Sequence, residues 1–584
     1  MIQSSRVTGG GRYLPLTLAS DLTVERRRRL ARRALPAVAA LVLLAFVVGL
    51  VLGGGAGSES ERVARDFTAA WERGDYAAMH GLLSTDVQRT VSQSDLAAAY
   101  REAATTATAT GISVSDAEAD GDLVRVPVEV TTRIFGPIRG EVELPVTDGA
   151  VDWQPHHAFP GLAPGIALDR RTNAPTRAKI ISADGKVLAE GPPEARTSPL
   201  GDIASSIAGA MEAPTDEAEQ RALYGRGFPE DTPVGTTGLE RVFERQLAGT
   251  PGGNLLAGSQ VLASSSPRPG RPVRTTIDTR VQESANIALA GRLGGVAALD
   301  PRTGEIRGLA GIAFSAPQPP GSTFKVITTT AALEDKLVKP SDEFPVETAA
   351  VIDGVELENA NGESCGGDFA NSFAHSCNSV FAPLGVEVGA ERLVEVSERY
   401  GWNEEPEIPG AMPSTIPAVS EIVSPLEVGS TAIGQFRTLA TTLQMASVAQ
   451  TIANGGVRVR PTLTPRSGAA PGIRVTSPVV ARTIERLMVG VVDFGTGTLA
   501  QVEGVDVAGK TGTAELEDTR GDDPEAELRS GDPSNTDAWF AAYAPAGKPR
   551  TVVAVMLVRN GAGGATAAPA AQGVLVAGLK ATMP

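Results

Sequence analysis

The segment Pro320-Gly321-Ser322-Thr323-Phe324-Lys325 constrains this chain more than any other stretch. A hydroxyl and an amine three residues apart on a helix lie on one face, about one turn apart, so they can meet. Pro320 and Gly321 interrupt the chain just before an apolar run, Phe324, Val326, Ile327, Ala331, Ala332 and Leu333. That pattern predicts a buried helix beginning at or near Ser322, where the first N–H groups are unpaired and the helix dipole favours negative charge. Ser-x-x-Lys by itself equally describes a capping Ser with a surface Lys one turn on. Residue usage favours the reactive reading. The chain holds only eight lysines (Lys179, Lys186, Lys325, Lys336, Lys339, Lys510, Lys548 and Lys580) among 52 basic residues, and only Lys325 has Ser three positions before it. Lys loses its proton on burial, whereas Arg does not.

At 584 residues the chain is long enough for three or four domains. Hydrophobic residues at 42% and charged residues at 21% are those of a folded globular protein. A net charge of −16 and 4% aromatics argue against nucleic acid as a partner, since neither a basic face nor stacking platforms are available. Only Cys365 and Cys377 occur, with no Cys/His ligand cluster, so no metal site and no cofactor are expected.

The order of the chain predicts an exported protein. From Ala34 to Leu52 it is almost wholly apolar, near the roughly 20 residues that cross a bilayer. Six arginines precede this run (Arg26, Arg27, Arg28, Arg29, Arg32, Arg33), so the positive-inside bias makes 1–33 a cytoplasmic tail and 34–53 a transmembrane anchor. The expected location is the cell membrane, single-pass, with the bulk of the chain outside; a cleaved signal peptide ending near Gly54 to Gly57 is the alternative. Residues 58–165 read as a small α+β domain. Val63, Phe67, Ala70 and Trp71 recur at helical spacing, and Val124, Val126, Val128 and Val130 share one face of a later strand. His156 and His157 near its end read as structural residues. Residues 166–270 are rich in Pro and Gly, with a hairpin over Ala178 to Ala189 and a short helix from Gly238 to Leu247, and are expected to form a pedestal, dimerisation-like or linker domain. Residues 271–584 read as one large domain, a sheet flanked by helices. Its strands are expected over Val296–Leu299, Glu305–Gly311, Val505–Thr513, Ala538–Tyr543 and Thr551–Val558, with helices over Gln444–Asn454 and Ala570–Lys580.

Two further segments complete a pattern. Ser376-Cys377-Asn378 lies 54 residues after Ser322, and Lys510-Thr511-Gly512-Thr513 lies 188 residues after it on a predicted strand. Ser-x-x-Lys, Ser-x-Asn and Lys-Thr-Gly in this order form the triple motif of penicillin-recognising serine enzymes. With Ile433-Gly434-Gln435, Gly495-Thr496-Gly497 and Ala538-Trp539-Phe540, the stretch 271–584 resembles the transpeptidase domain of class B penicillin-binding proteins, a serine β-lactamase-like fold with an antiparallel sheet flanked by helices. Phe67, Ala70-Trp71 and Gly74-Asp75-Tyr76 resemble the NTF2-like domain that precedes the methicillin-resistance type.

The resemblance implies a peptidoglycan D,D-transpeptidase, acylated by stem peptides and by penicillin and other β-lactams, with a SEDS-type glycosyltransferase as membrane partner. It gives Ser322 as nucleophile, Lys325 as base and Ser376 as proton relay. Asn378 would hold the substrate amide, Lys510, Thr511, Gly512 and Thr513 the terminal carboxylate, and the N–H groups of Ser322 and Thr513 the oxyanion. Chemistry requires that burial and a second cation, for which Lys510 is available, lower the pKa of Lys325 from about 10.4. A D,D-carboxypeptidase, a serine β-lactamase and a non-catalytic β-lactam sensor share these motifs. Cys377 as a nucleophile lacks a partner beyond His375; in an exported chain, Cys365 and Cys377 are expected to pair as a disulfide. The acidic segment between Glu515 and Asp537 reads as a solvated loop or as a gate against anionic ligands.

Overall fold

The computed structural model describes residues 58–467, 470–516 and 533–582, which fall into two compact units. The expected cytoplasmic tail and transmembrane anchor, and most of the acidic segment, lie outside the described residues. Among the described residues no helix is long and apolar enough to cross a membrane.

The first unit comprises residues 58–132, 136–169 and 256–262. Helix α1 (Glu59–Arg73) opens on a capping box between Ser58 and Glu61 and stops at Gly74 in the left-handed conformation. Asp75 then caps α2 (Tyr76–Gly81), so Gly74-Asp75-Tyr76 is the corner between two helices. After α3 (Thr85–Thr90) and α4 (Gln93–Ala107) come β1 (Ala109–Val114), β2 (Glu118–Asp120), β3 (Leu123–Thr132), β4 (Gly136–Thr147) and β5 (Ala150–Val151) in one antiparallel sheet. In β3 and β4, Val124, Val126, Val128, Val130, Val142 and Leu144 point inward, the alternation the sequence predicts. Phe67, Trp71, Tyr100 and Trp153 are also buried, and Trp153 Nε1 donates to the Tyr100 hydroxyl at 3.2 Å. His157 is buried, accepts from the Gln154 N–H at 3.0 Å and has its pKa pushed down to about 4 by desolvation, then by His156. These are the contacts of a structural histidine.

The second unit comprises, of the described residues, 133–135, 170–255, 263–467, 470–516 and 533–582. Ala178, Ile180, Leu188, Ile207, Leu239 and Leu247 pack in the same apolar cluster as Ile306 and Leu309, so residues 178–247 and the large sheet share one core. The reading of one helix from Gly238 to Leu247 is replaced by two short ones, Gly238–Val242 and Glu244–Leu247, broken at Phe243. Glu240 within the first is fully buried, held by Arg177 at 2.5 Å and Arg196 at 2.7 Å.

After α5 (Thr279–Leu289) come β6 (Gly294–Leu299), β7 (Ile306–Gly311) and α6 (Lys325–Glu334). A hairpin of β8 (Ala349–Ile352) and β9 (Val355–Glu358) precedes α7 (Asn378–Val388), α8 (Thr442–Ala453) and α9 (Pro478–Asp493). The chain closes with β10 (Ala508–Glu515), β11 (Thr536–Ala544), β12 (Thr551–Leu557) and α10 (Gly563–Ala581). The main sheet has the order β7-β6-β12-β11-β10, antiparallel throughout, with β10 at one edge. Its strands are apolar on both faces. Val553, Val555 and Phe540 join one cluster with α5 and α10, while Val552, Ala554 and Trp539 join another with α8. A sheet buried on both sides is a stiff platform, and its β10 edge carries Lys510 to Thr513.

The last helix begins seven residues before the expected start at Ala570, because Pro569 lies inside it and does not end it. Gly563 makes this start possible: a Cβ there would lie 2.2 Å from the Gly512 carbonyl oxygen and 2.3 Å from that of Trp539. Gly563→Ala is therefore expected to lower stability by about 1–3 kcal/mol, read as a fall in Tm, with a parallel loss of β-lactam acylation through displacement of β10. An unchanged Tm would show that the helix start tolerates a side chain.

Candidate active site

The backbone around Ser322 differs from the sequence reading. Gly321–Phe324 is a 3-10 turn, and the α-helix starts at Lys325. Gly321 has φ +51, and a Cβ there would lie 2.7 Å from the Thr513 carbonyl oxygen. The Gly321 N–H donates to Gly434 O at 3.0 Å, and the Thr323 hydroxyl returns to Pro320 O at 2.7 Å. The turn is thus clamped between the Ile433-Gly434-Gln435 segment and β10. Residues i and i+3 eclipse in a 3-10 turn, so Ser322 and Lys325 keep a common side.

Lys325 is completely buried on α6. Two of its three buried threonines find partners, Thr328 Oγ1 donating to Ala432 O at 2.6 Å and Thr330 Oγ1 bonding the Tyr400 hydroxyl at 2.8 Å, while the Thr329 hydroxyl has none among the described residues. Among the described residues, the hydrogen bonds of Lys325 Nζ run to the second motif. It donates to Ser376 O at 2.6 Å and Asn378 Oδ1 at 2.7 Å, with Ser376 Oγ at 3.3 Å. A neutral amine has two N–H groups, matched by the two shorter contacts, which leaves its lone pair to accept a hydroxyl proton.

Ser376 occupies a left-handed turn, φ +63, between the helix Phe369–Ala374 and α7. Ser376 N donates to Phe373 O at 3.2 Å and Cys377 N to Ser372 O at 3.0 Å. Cys377 is bonded to Cys365, with Cα atoms 5.4 Å apart, so no free thiol exists and the alternative of a Cys nucleophile falls. His375 is exposed, its ring 6.3 Å from that of Phe494.

Lys510, also completely buried, arrives from β10 and donates to Ser376 Oγ at 2.8 Å and Thr511 O at 3.1 Å. The Ser376 hydroxyl therefore sits between two amines. Burial pushes the Lys325 pKa well below 10.5, and Lys510 beside it adds repulsion. Burial alone brings Lys510 down to about 7. The rings of Phe381 and Phe373 lie 5.2 Å and 5.6 Å from the respective amines, a contact that favours the charged form and is outweighed by desolvation.

The remaining predicted residues meet the same cluster or the strand that carries it. Asn378 gives its oxygen to Lys325 and one N–H to Glu358 O at 2.6 Å. Thr511 Oγ1 lies 2.5 Å from Thr496 Oγ1, and Thr496 also donates from its backbone to Ala374 O at 3.1 Å. Gly512 faces the Ser322 turn, where a Cβ would lie 2.8 Å from Pro320 O, and Thr513 Oγ1 accepts from Gly563 N at 3.3 Å. Gly321 against Thr513 brings the backbones of the two expected oxyanion donors side by side. Ser322, Lys325, Ser376, Asn378 and Lys510 to Thr513 thus converge from three distant segments. Thr496, which ties the second motif to the third, stands in the Gly495-Thr496-Gly497 segment but had no assigned role. Asn359 and the Glu358 carbonyl had no signal in sequence.

Residues 294–575 match the penicillin binding protein transpeptidase domain. Over 420 residues the chain is 33% identical to peptidoglycan D,D-transpeptidase PbpA of Mycobacterium tuberculosis, covering 59% of this chain and 80% of that one. This chain belongs to the penicillin-binding protein transpeptidase family. Penicillin-binding protein PbpB of Mycolicibacterium smegmatis is 30% identical over 399 residues, 57% of this chain and 60% of that protein. Among solved structures, the D,D-transpeptidase domain of a peptidoglycan glycosyltransferase from Eggerthella lenta superposes with a TM-score of 0.56 at 28% identity, covering 70% of this chain and 99% of that one. Penicillin-binding protein A of M. tuberculosis, solved as its ceftriaxone acyl-enzyme complex, gives 0.55 at 26% identity with 70% and 99% covered.

Two outcomes follow for this family member. Between the folded pKa of Lys510, about 7, and its ordinary 10.5, the unfolded chain binds more protons, so stability rises with pH across that window. Lys510→Met is expected to flatten this rise in a pH series of denaturant melts. It also removes the neighbouring cation, so the ascending limb of acylation rate against pH, set by Lys325, is expected to move to higher pH. Separately, the disulfide closes a loop of 12 residues, and Cys365→Ala/Cys377→Ala is expected to cost about 3 kcal/mol of stability. It should slow acylation, since the Ser376 turn loses one of its ties; equal rates in the variant and the wild type would place the bond outside the catalytic framework.

Proposed function

We propose that this penicillin-binding protein is a serine D,D-transpeptidase that cross-links peptidoglycan stem peptides through an acyl-enzyme on Ser322. The observation that carries the reading is the pair of buried amines, Lys325 and Lys510, on either side of the Ser376 hydroxyl. Neutral Lys325 takes the Ser322 proton as Oγ attacks the carbonyl carbon of the penultimate D-Ala. The oxyanion falls to the N–H groups of Ser322 and Thr513, each such donor worth about 100-fold or more in rate. The C–N bond then breaks, and the proton held by Lys325 passes through Ser376 to the leaving D-Ala amine. An amine of a second stem peptide attacks the ester and restores Ser322. Asn378 holds the donor amide, while Lys510, Thr511 and Thr513 receive its terminal carboxylate. A β-lactam follows the first half and stays as the acyl-enzyme.

The same reading extends to the rest of the chain. The apolar run Ala34 to Leu52 behind six arginines supports a single-pass anchor with the catalytic unit outside the cytoplasm. Helices followed by a strongly alternating antiparallel sheet support an NTF2-like first domain of the methicillin-resistance type. Glycan polymerisation would fall to a separate SEDS-type glycosyltransferase in the membrane.

Incubation with a fluorescent penicillin is expected to label the wild type and not Ser322→Ala. Intact mass should show an adduct that persists without an acceptor amine and clears faster when one is supplied. Rapid clearance in water alone would point to a carboxypeptidase or β-lactamase, and a permanent adduct with no turnover of peptide to a sensor.

A further inference from the structure

We infer that Asn359 is a positioning residue that orients the Asn378 side chain for the acyl-donor amide, an inference that rests on the transpeptidase reading above. Asn359 follows β9 and is 4% exposed. Its amide is fully used. Nδ2 donates to Glu347 O at 2.8 Å and Glu363 O at 2.9 Å, and Oδ1 accepts the Ser379 N–H at 2.9 Å. Ser379 is the second residue of α7, whose own N-cap, Cys377, makes no side-chain cap. Asn359 therefore caps that helix from another segment, supplying the acceptor that a Ser or Asp at the N-cap ordinarily gives.

The consequence lies one peptide away. With Asn359 locked onto α7, the preceding carbonyl, Glu358 O, stands 2.6 Å from Asn378 Nδ2. Asn378 Oδ1 accepts from Lys325 Nζ on the other side at 2.7 Å. The two contacts fix which way the amide faces. A flipped Asn378 would set N–H against the Lys325 N–H groups and oxygen against the Glu358 oxygen, two repulsive contacts in place of two attractive ones. In the observed orientation one Asn378 N–H is spent on Glu358, and the second is the donor left for a carbonyl oxygen of the acyl donor. The disulfide and the bond from Ser379 Oγ to Cys365 O at 3.3 Å hold the chain after β9 to the same helix end, but neither contacts Asn378. The Asn359 side-chain bonds tie the Glu358 carbonyl to the end of α7, in addition to the pairing of Glu358 with Ala349 in the β8–β9 hairpin and the Asn359 N–H bond to Thr348 O at 2.8 Å.

The test compares second-order acylation rates of two β-lactams, one with a side-chain amide (benzylpenicillin) and one without (a carbapenem bearing a hydroxyethyl group). Asn359→Ala is expected to slow benzylpenicillin about tenfold or more and the carbapenem by less than about threefold, the size of one lost charge-free hydrogen bond. Asn359→Asp keeps the acceptor for Ser379 N–H and loses both donors, so its ratio of rates should fall between wild type and Asn359→Ala. A structural role alone would slow both reagents together with a fall in Tm. An equal loss for both, no loss for either, or failure of both variants to fold would overturn the inference. Wild-type protein acylated by neither reagent would instead refute the transpeptidase reading.

Discussion

Two buried amines meeting at one hydroxyl is the arrangement on which everything else here depends. Taking an ammonium out of water is costly, and the cost is greater when a second one lies beside it, so the pair is held only by giving up a proton. Lys325 gives it up more readily because Lys510 is there. Desolvation thereby turns a residue that is ordinarily an acid's partner into a base, and it does so only while water stays out.

Keeping water out requires three remote segments to hold position within tenths of an ångström. The sheet does this for Lys510: strands buried on both faces leave β10 no freedom to shift, and Gly512 and Gly321 let its backbone close directly on the nucleophile turn. That turn also covers the exposed side of an edge strand, which would otherwise present unpaired backbone groups. Ser376 is the least favourable element, a non-glycine residue in left-handed geometry. It is accordingly surrounded by ties: the disulfide, the Thr496 bonds to Ala374, and the Asn359 cap on the following helix.

Much of the site was legible in the sequence because its chemistry is carried by side chains in short motifs. Ser322, Lys325, Ser376, Asn378 and Lys510 announce themselves by type and spacing, and a chain with eight lysines makes two of them conspicuous. The alternation over Leu123 to Val130 and Glu141 to Val146 was equally plain, since one face is apolar at every second residue; the structure carries the two strands on to Thr132 and back to Gly136. What escaped depends on backbone geometry. The helix begins at Lys325 and not at Ser322, because Gly321 and Gly434 shape a tighter turn first. Asn359 works through its neighbour's carbonyl, an atom every residue possesses, so no pattern marks it. Thr496 lies in a recognisable segment, yet its function is to join two others, which only their meeting in space reveals.

The most direct test of this electrostatic account is an NMR titration of the protein labelled at the lysine side chains, with the two site signals assigned from Lys325→Arg and Lys510→Arg variants. Eight signals are expected, one for each lysine. Lys510 should titrate near pH 7 and Lys325 well below 10.5. If both instead titrate near the ordinary 10.5 of a lysine, the amines are solvated ammonium groups, and the base that activates Ser322 must be sought elsewhere.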